Sequence, residues 1–385
     1  MLSNFFACTG CRACEQICPN SCIRMEFDKE GFLYPDTDMT SCINCSSCER
    51  VCHALIKDKT ELLNDCKEQV GYFGWHKDTE IRAKSSSGGA FTAIVETFLD
   101  DKDVVFGASY NDDFTYIHHI MADKHSYQKL RKSKYVFCDP EDSYIKVKKC
   151  LQEGQKVIFS GTPCQVAGLK AYLKKDYNNL MLIDLICHGT PSVKTYESHI
   201  KHISKNSRID NVDFRSKYFG WFCHCFKVDM EKGTYVKQLG EDFYLNRFLN
   251  NYSLRKCCYE CQYSNGNHVS DITIADFWGI KDYKPELNDE KGISLVIFNN
   301  QKFLHLTQNL SVLMNFWQLD YPYYKYVYKT HEKYSLDLRD VFMKEQELFG
   351  YEKIAKRFER FLPLKKLRGK ASAVKRRLVG IFAGN

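Results

Sequence analysis

Proline is scarce in this sequence, 8 in 385 residues, and glycine numbers only 21. Collagen-like and low-complexity chains are not built this way, and 44% hydrophobic residues exclude a disordered one. Long apolar runs are missing too. Stretches such as Leu180–Ile186 and Ile293–Phe298 are of strand length, far short of the ~20 residues that cross a bilayer. The opening residues hold neither a basic nor an apolar stretch ahead of the first cysteine, so no secretory leader is expected. The body of the chain also lacks net charge. Residues 351–385 hold eleven Lys or Arg against Glu352 and Glu359, while the other 44 basic and 46 acidic side chains nearly cancel. A nucleic-acid-binding domain with a basic face is thereby excluded. The basic segment reads as a helical tail in water, with weak contact to a membrane surface or a partner as the alternative.

Cysteine is the opposite case. There are 19, and nine fall within residues 8–52. A core of this size needs no staples, so the crowding points to metal-bound thiolates in a reducing, cytoplasmic compartment. The runs are Cys8-x2-Cys11-x2-Cys14-x3-Cys18-Pro19 and Cys42-x2-Cys45-x2-Cys48-x3-Cys52, the spacing of a bacterial two-cluster ferredoxin. Three thiolates spaced by three on a tight loop reach three corners of a cube, and the fourth ligand comes from the other run. Cys8, Cys11, Cys14 and Cys52 are thus expected to hold one 4Fe–4S cluster, and Cys42, Cys45, Cys48 and Cys18 the other. Structural zinc would need its ligands in two pairs. Cys52 is followed by His53 where the usual pattern has Pro, which loosens the turn without removing a ligand. Cys22 reads as a small packed side chain outside the ligand set. Ile23–Phe27 and Phe32–Tyr34 form a hairpin between the runs.

After a polar, part-helical linker over residues 56–68 the texture becomes α/β. Strands at Val70–Trp75, Val104–Ser109, Lys156–Ser160 and Leu180–Ile186 alternate with helices at Phe91–Leu99, Tyr144–Gln152, Val166–Lys174 and Val193–Ile203, which implies a mixed or parallel sheet. Beyond residue 205 the pattern is richer in strands. Cys164 and Cys187 each follow a strand, and Cys258 and Cys261 form a C-x2-C pair. These four thiols could close a third cluster; a redox-active Cys164 or scattered buried thiols are the competing readings. Ser85–Gly89, small residues ahead of a helix, outline a phosphate cradle, although an ordinary helix cap has the same outline.

Together, Ser85-Ser-Ser-Gly-Gly-Ala-Phe-Thr92, Ser133-Lys-Tyr-Val136, Ser160-Gly-Thr-Pro-Cys-Gln-Val-Ala-Gly-Leu-Lys170, Asp184-Leu-Ile-Cys-His-Gly189, Phe214-Arg-Ser-Lys217, Cys258-x2-Cys261 and Asp271-Ile-Thr-Ile-Ala-Asp-Phe-Trp-Gly279 resemble the coenzyme F420 hydrogenase/dehydrogenase beta-subunit family. A ferredoxin domain is fused in front, and the resemblance covers roughly residues 1–300. It implies FAD, a third 4Fe–4S cluster on Cys164, Cys187, Cys258 and Cys261, and flavin contacts from Ser86, Ser87, Gly88, Gly89 and Thr92. Lys134 is the candidate for placing a charge near the flavin. His188 is the candidate proton shuttle or an orienting neighbour of Cys187, and Asp276 orients the site or caps a loop. The chain departs from the pattern at Cys138 and at Cys257, the latter blurring which thiols of the pair ligate.

The expected fold is α+β. A two-cluster ferredoxin module occupies residues 1–66, a mixed α/β flavin-binding domain 67–345 and a basic helical tail 346–385. The expected function is an iron–sulfur, flavin-dependent oxidoreductase linking one-electron transfer to hydride chemistry on a deazaflavin-type coenzyme or another small organic substrate, with a ferredoxin-like protein as redox donor or acceptor. An electron-transfer subunit with no substrate of its own is the alternative. The downstream cluster is expected to survive deletion of residues 1–66, and Gly88→Val to displace FAD.

Overall fold

A computed structural model describes residues 6–56, 62–64, 69–264, 266, 268–320 and 336–362. The two cysteine runs fold alike. Each wraps a single helical turn, α1 (Ala13–Gln16) or α2 (Ser47–Arg50), entered through a left-handed residue, Arg12 or Ser46. Between them β1 (Ile23–Phe27) and β2 (Leu33–Thr37) pair antiparallel, with Phe27 opposite Leu33. The Asp28 carboxylate closes their turn by accepting from the N–H groups of Glu30 and Phe32, at 3.0 and 2.9 Å.

The rest of the chain supplies β3 (Val70–His76), β4 (Val104–Tyr110), β5 (Ile117–Asp123), β6 (Val157–Ser160) and β7 (Leu180–Leu185). Three more strands, β8 (Ile209–Ser216), β9 (Cys225–Met230) and β10 (Gly233–Gln238), form a separate antiparallel sheet. Last come β11 (Ile272–Asp276), β12 (Ser294–Phe298) and β13 (Met314–Gln318). The main sheet runs β13-β3-β12-β11-β7-β6-β4-β5. Its centre, β4, β6, β7 and β11, is parallel, and the flanking pairs are antiparallel.

Helices follow the strands: α3 (Thr79–Ala83), α4 (Ala90–Phe98), α5 (Ser143–Gln152), α6 (Pro163–Leu173), α7 (Val193–Ser204), α8 (Phe243–Leu249), α9 (Ile280–Tyr283), α10 (Thr307–Leu313) and α11 (Leu336–Phe349). A further helix, α12, spans 351–362. Strand side chains alternate between two covered faces. Val157 and Phe159 pack with α5 and α6, and Ile158 between them packs with α4 and α10. The strands β3, β6, β7 and β11 end at one edge of the sheet, so the loops after them share that edge. In α/β sheets the carboxyl ends of strands are where ligands bind.

Two expectations change here. The ferredoxin module does not stand apart, because Ala13 and Val51 share a core with α6, Leu33 with α7 and α8, and Phe32 with Phe243 and α11–α12. The expected tail boundary at 346 falls inside α11. Over 351–362 the segment is an amphipathic helix with Tyr351, Ile354, Ala355 and Phe358 buried, an i, i+3, i+4, i+7 face. Residues 363–385, which carry seven of the eleven basic side chains, lie outside the described residues. So do 57–61 and 65–68 of the expected linker. No described helix is long and apolar enough to cross a membrane.

Candidate functional site

The thiols of Cys8, Cys11, Cys14 and Cys52 lie within electrostatic reach of one another, the crossed grouping expected from spacing. They line a cavity of about 40 Å³, more than one water needs. Burial pushes the Cys11 thiol up to about 12 and raises Cys14 and Cys52 as well. Such thiols are neutral on their own, and a coordinating cation is what removes their protons. Cys18 crosses the other way. Its Sγ lies 3.3 Å from Cys22 Sγ, and the Cys22 thiol in turn is hydrogen-bonded to Cys42. Cys22 is therefore buried, as expected, but it sits between two candidate ligands. This second set lies at the surface, with Cys45 exposed.

The third set gathers at the carboxyl edge of the sheet. Thr162 caps α6 in a reciprocal box with Gln165, and Pro163 takes the first helical position, which fixes Cys164 in the first turn. Thr162 Oγ1 is 3.2 Å from Cys164 Sγ. Cys187 follows β7 by two residues, and a 3-10 turn at Lys256–Glu260 carries Cys258 to the same place. Cys187 is within electrostatic reach of Cys258, Cys164 and Cys261. Burial raises Cys187, takes Cys164 to about 11 and Cys261 to about 12. Cys258 goes the other way. A hydrogen bond from Cys257, helped by the Thr190 N–H at 3.3 Å, brings it down to about 7. Cys257 thus acts on the set through Cys258. Among the described residues no three His, Cys, Asp or Glu side chains are drawn together to hold a single metal ion.

The first and third sets are in contact through features the sequence reading passed over. A Cβ on Gly168 of α6 would lie 2.9 Å from Cys11 Sγ, so only glycine lets this loop and helix meet. His53 accounts for the missing Pro. Its ring is 2.7 Å from the Tyr263 hydroxyl and 3.1 Å from Thr9 Oγ1, which ties the Cys52 turn to the chain beyond Cys261. His53→Phe is expected to cost about 1–3 kcal/mol, the penalty for breaking buried hydrogen bonds, while leaving iron content unchanged. A lower urea midpoint at equal iron would show it.

Ser85–Gly89 lies between β3 and β12 at the same edge, two strand positions or roughly 10 Å from Cys187. Much of its polarity is already used by the protein. Ser87 Oγ donates to the Ile293 carbonyl at 2.6 Å, the Gly88 N–H donates to Ser294 Oγ at 2.9 Å, and Ser86 Oγ accepts from the Ser133 N–H at 2.9 Å. A Cβ on Gly88 would meet the Gly74 carbonyl oxygen at 2.4 Å, so this glycine serves packing, and Gly88→Val would disrupt the sheet whatever binds there. Gly89, at φ 94°, begins α4 without a side-chain cap. One face of this helix fits an anionic group better: Thr92 Oγ1, His76 Nε2 and Arg131 Nε are buried without a hydrogen-bond partner. Arg131 reaches them through Tyr127 at 3.1 Å and Glu96 beyond it at 2.6 Å.

Lys134 points away from this loop. Its Nζ donates to the Arg131 carbonyl at 2.9 Å and the Lys132 carbonyl at 3.3 Å, and burial brings it down to about 8. The cation on the loop is Lys217, whose Nζ donates to the carbonyls of Ser87, Arg82 and Lys291 at 2.7–2.8 Å. Burial and Arg82 draw Lys217 to about 7, against three acceptors that favour the ammonium. His188 Nε2 is 3.1 Å from the Phe248 carbonyl. Asp276 accepts from Arg215 at 2.6 Å and Trp221 at 3.1 Å, which orients the edge.

A two-set ferredoxin module packed against a thiol-lined α/β sheet defines an iron–sulfur protein of the oxidoreductase class. Residues 7–56 match the 4Fe-4S dicluster domain, and residues 154–312 match the C-terminal region of the beta-subunit family of coenzyme F420 hydrogenase/dehydrogenase. The chain belongs to that beta-subunit family, with a 4Fe–4S dicluster domain at its N-terminus. No curated protein matches it. Among solved structures, a chain of the xenon-derivatised F420-reducing [NiFe] hydrogenase complex from Methanosarcina barkeri is similar over 76% of this chain and 93% of its own, with 16% identity and a TM-score of 0.43.

Proposed function

We propose that this protein is a flavin-dependent oxidoreductase in which three sets of thiolates hold 4Fe–4S clusters beside an FAD site. The observation that carries the reading is the convergence of Cys164, Cys187, Cys258 and Cys261 from three separate segments, next to the set that includes Cys11. The capped helix α6 and the Thr190 N–H hold two of these sulfurs in fixed places. Thr92, His76 and Arg131 on the face of α4 are the groups that would meet an FAD phosphate, and Gly89 leaves the helix start open to it. Bound there, FAD supplies the exchange between hydride, a two-electron carrier, and the single electrons that iron–sulfur clusters carry. The surface position of the Cys42 set, with Cys45 exposed, suits docking of a one-electron protein partner. Eighteen free cysteines among the described residues suit a reducing, cytoplasmic compartment. The organic substrate class is a deazaflavin-type coenzyme or another hydride acceptor.

The ligand reading carries an arithmetic consequence. Anaerobically prepared protein is expected to hold about twelve iron atoms and twelve acid-labile sulfides, four of each per cube. Cys8→Ser and Cys42→Ser should each remove roughly a third of the iron; stoichiometric zinc without broad visible absorbance would contradict it. The FAD reading is tested by Thr92→Val, which keeps shape and removes the unpartnered hydroxyl. Weaker flavin retention at unchanged iron and unchanged melting supports it, and unaltered flavin affinity counts against it.

A further inference from the structure

Four arginines are buried among the described residues: Arg82, Arg215, Arg255 and Arg339. Three meet a carboxylate. Arg82 pairs with Asp289 at 2.6 Å, Arg215 with Asp276 at 2.6 Å and Arg339 with Glu30. Arg255 is only 1% exposed, yet no described carboxylate pairs with it. Its Nε donates to the Cys8 carbonyl at 2.6 Å and its Nη2 to the Leu33 carbonyl at 2.6 Å, while Nη1 has no partner. The guanidinium lies 4.2 Å from the Tyr34 ring centre, with Nη2 3.5 Å from Cys8 Sγ. A guanidinium cannot shed its proton, and a buried charge is tolerated only when something of opposite sign answers it.

The groups within reach that can become anionic are thiols, Cys8 on one side and Cys257 and Cys258 on the other. The backbone makes the same connection. The Arg255 N–H donates to the Thr190 carbonyl at 2.8 Å, and the Thr190 N–H donates to Cys258 Sγ. The residue is therefore anchored at the third set while its charged head reaches into the first.

We infer that Arg255 is a positioning residue that sets the reduction potentials of two iron–sulfur centres at once: one buried guanidinium, shared between Cys8 and Cys258, makes both easier to reduce. The inference rests on the proposed ligand sets. Reduction adds one electron to a centre and neither adds nor removes a proton on Arg255, so the new negative charge develops beside a cation that is already in place. Water is excluded around it, and the attraction is correspondingly strong. The Cys42 set is beyond its contacts and serves as an internal control.

The test is a dithionite titration of the full, anaerobically reconstituted chain, with mediators and electron paramagnetic resonance as readout. Unaltered protein is compared with Arg255→Gln, which keeps donors without charge, and Arg255→Lys, which keeps the charge. Arg255→Gln is expected to weaken electron uptake at two centres at least tenfold, a downward shift of about 59 mV for a one-electron step, with the surface centre unmoved. Arg255→Lys should stay within that shift. Unchanged potentials in a fully iron-loaded Arg255→Gln protein would overturn the inference, as would a Lys variant shifted as far as Gln. Should Arg255→Gln lose iron, the Lys variant decides: full iron with unaltered potentials supports the role of charge, and lost iron or shifted potentials overturns it. Unaltered protein holding about eight iron atoms would instead break the ligand reading, and the inference with it.

Discussion

Protein lacking residues 1–66 is expected to lose cooperative folding and to retain none of its iron. Phe32, Leu33 and Val51 are buried, and each belongs to a different core, so the deletion opens three interfaces at once. Burying a side chain of this size contributes about 1.5–3 kcal/mol. Three such losses approach the ~5–15 kcal/mol by which a folded domain is stable at all. Arg339 would lose its Glu30 carboxylate and Arg255 its Cys8 and Leu33 carbonyls, leaving two buried cations unanswered. Circular dichroism during urea unfolding reads the outcome. A truncated chain with a sharp transition and a third of the iron would show that the α/β domain stands alone, as the linker in the sequence suggests.

Gly168→Val is expected to strip the Cys8 set of its iron while sparing the Cys42 set. A Cβ at residue 168 would fall 2.8 Å from the Tyr144 hydroxyl, 2.9 Å from Cys11 Sγ and 3.0 Å from Cys11 Cβ. Real Cβ atoms do not approach so closely, and neither neighbour has room to yield. Tyr144 is fully buried with its hydroxyl donating to the Gln165 carbonyl at 2.8 Å, and Cys11 is held by its own loop. The loop must therefore move. About a third of the iron should be missing, with far-ultraviolet circular dichroism close to the unaltered protein. Full iron in Gly168→Val would mean that helix and loop separate without consequence.

Much of this site could be read from residues alone, because its chemistry is local. Thiol spacing along a tight loop fixes which corners of a cube can be reached, and the crossed pairing of Cys18 and Cys52 follows from it. The strands that bear Cys164 and Cys187 were legible as short apolar runs beside Gly-Thr-Pro and His-Gly-Thr-Pro turns. Edge strands were not. Ile117–Asp123 contains His118 and His119, and Gly233–Gln238 is polar along much of its length, so neither shows an apolar run. The helix at 351–362 was hidden by its lysines and arginines, although Tyr351, Ile354, Ala355 and Phe358 carry a helical period among them. Contacts across long separations were beyond reach of any local pattern. Nothing near Gly168 announces Cys11, and nothing near His53 announces Tyr263. The one visible hint was negative, a histidine where proline was expected. Gly88 shows the converse error, a glycine assigned to a ligand that instead lets two strands and a loop pack.

The central claim is that the four thiols at the carboxyl edge hold a cluster of their own, and iron counting addresses it directly. Iron and acid-labile sulfide should be measured in anaerobically reconstituted protein and in a Cys258→Ser, Cys261→Ser double variant. The values expected are about twelve of each in the first and about eight in the second, four per cube. Eight of each in both proteins, with unchanged visible absorbance, would contradict a third centre at Cys164, Cys187, Cys258 and Cys261.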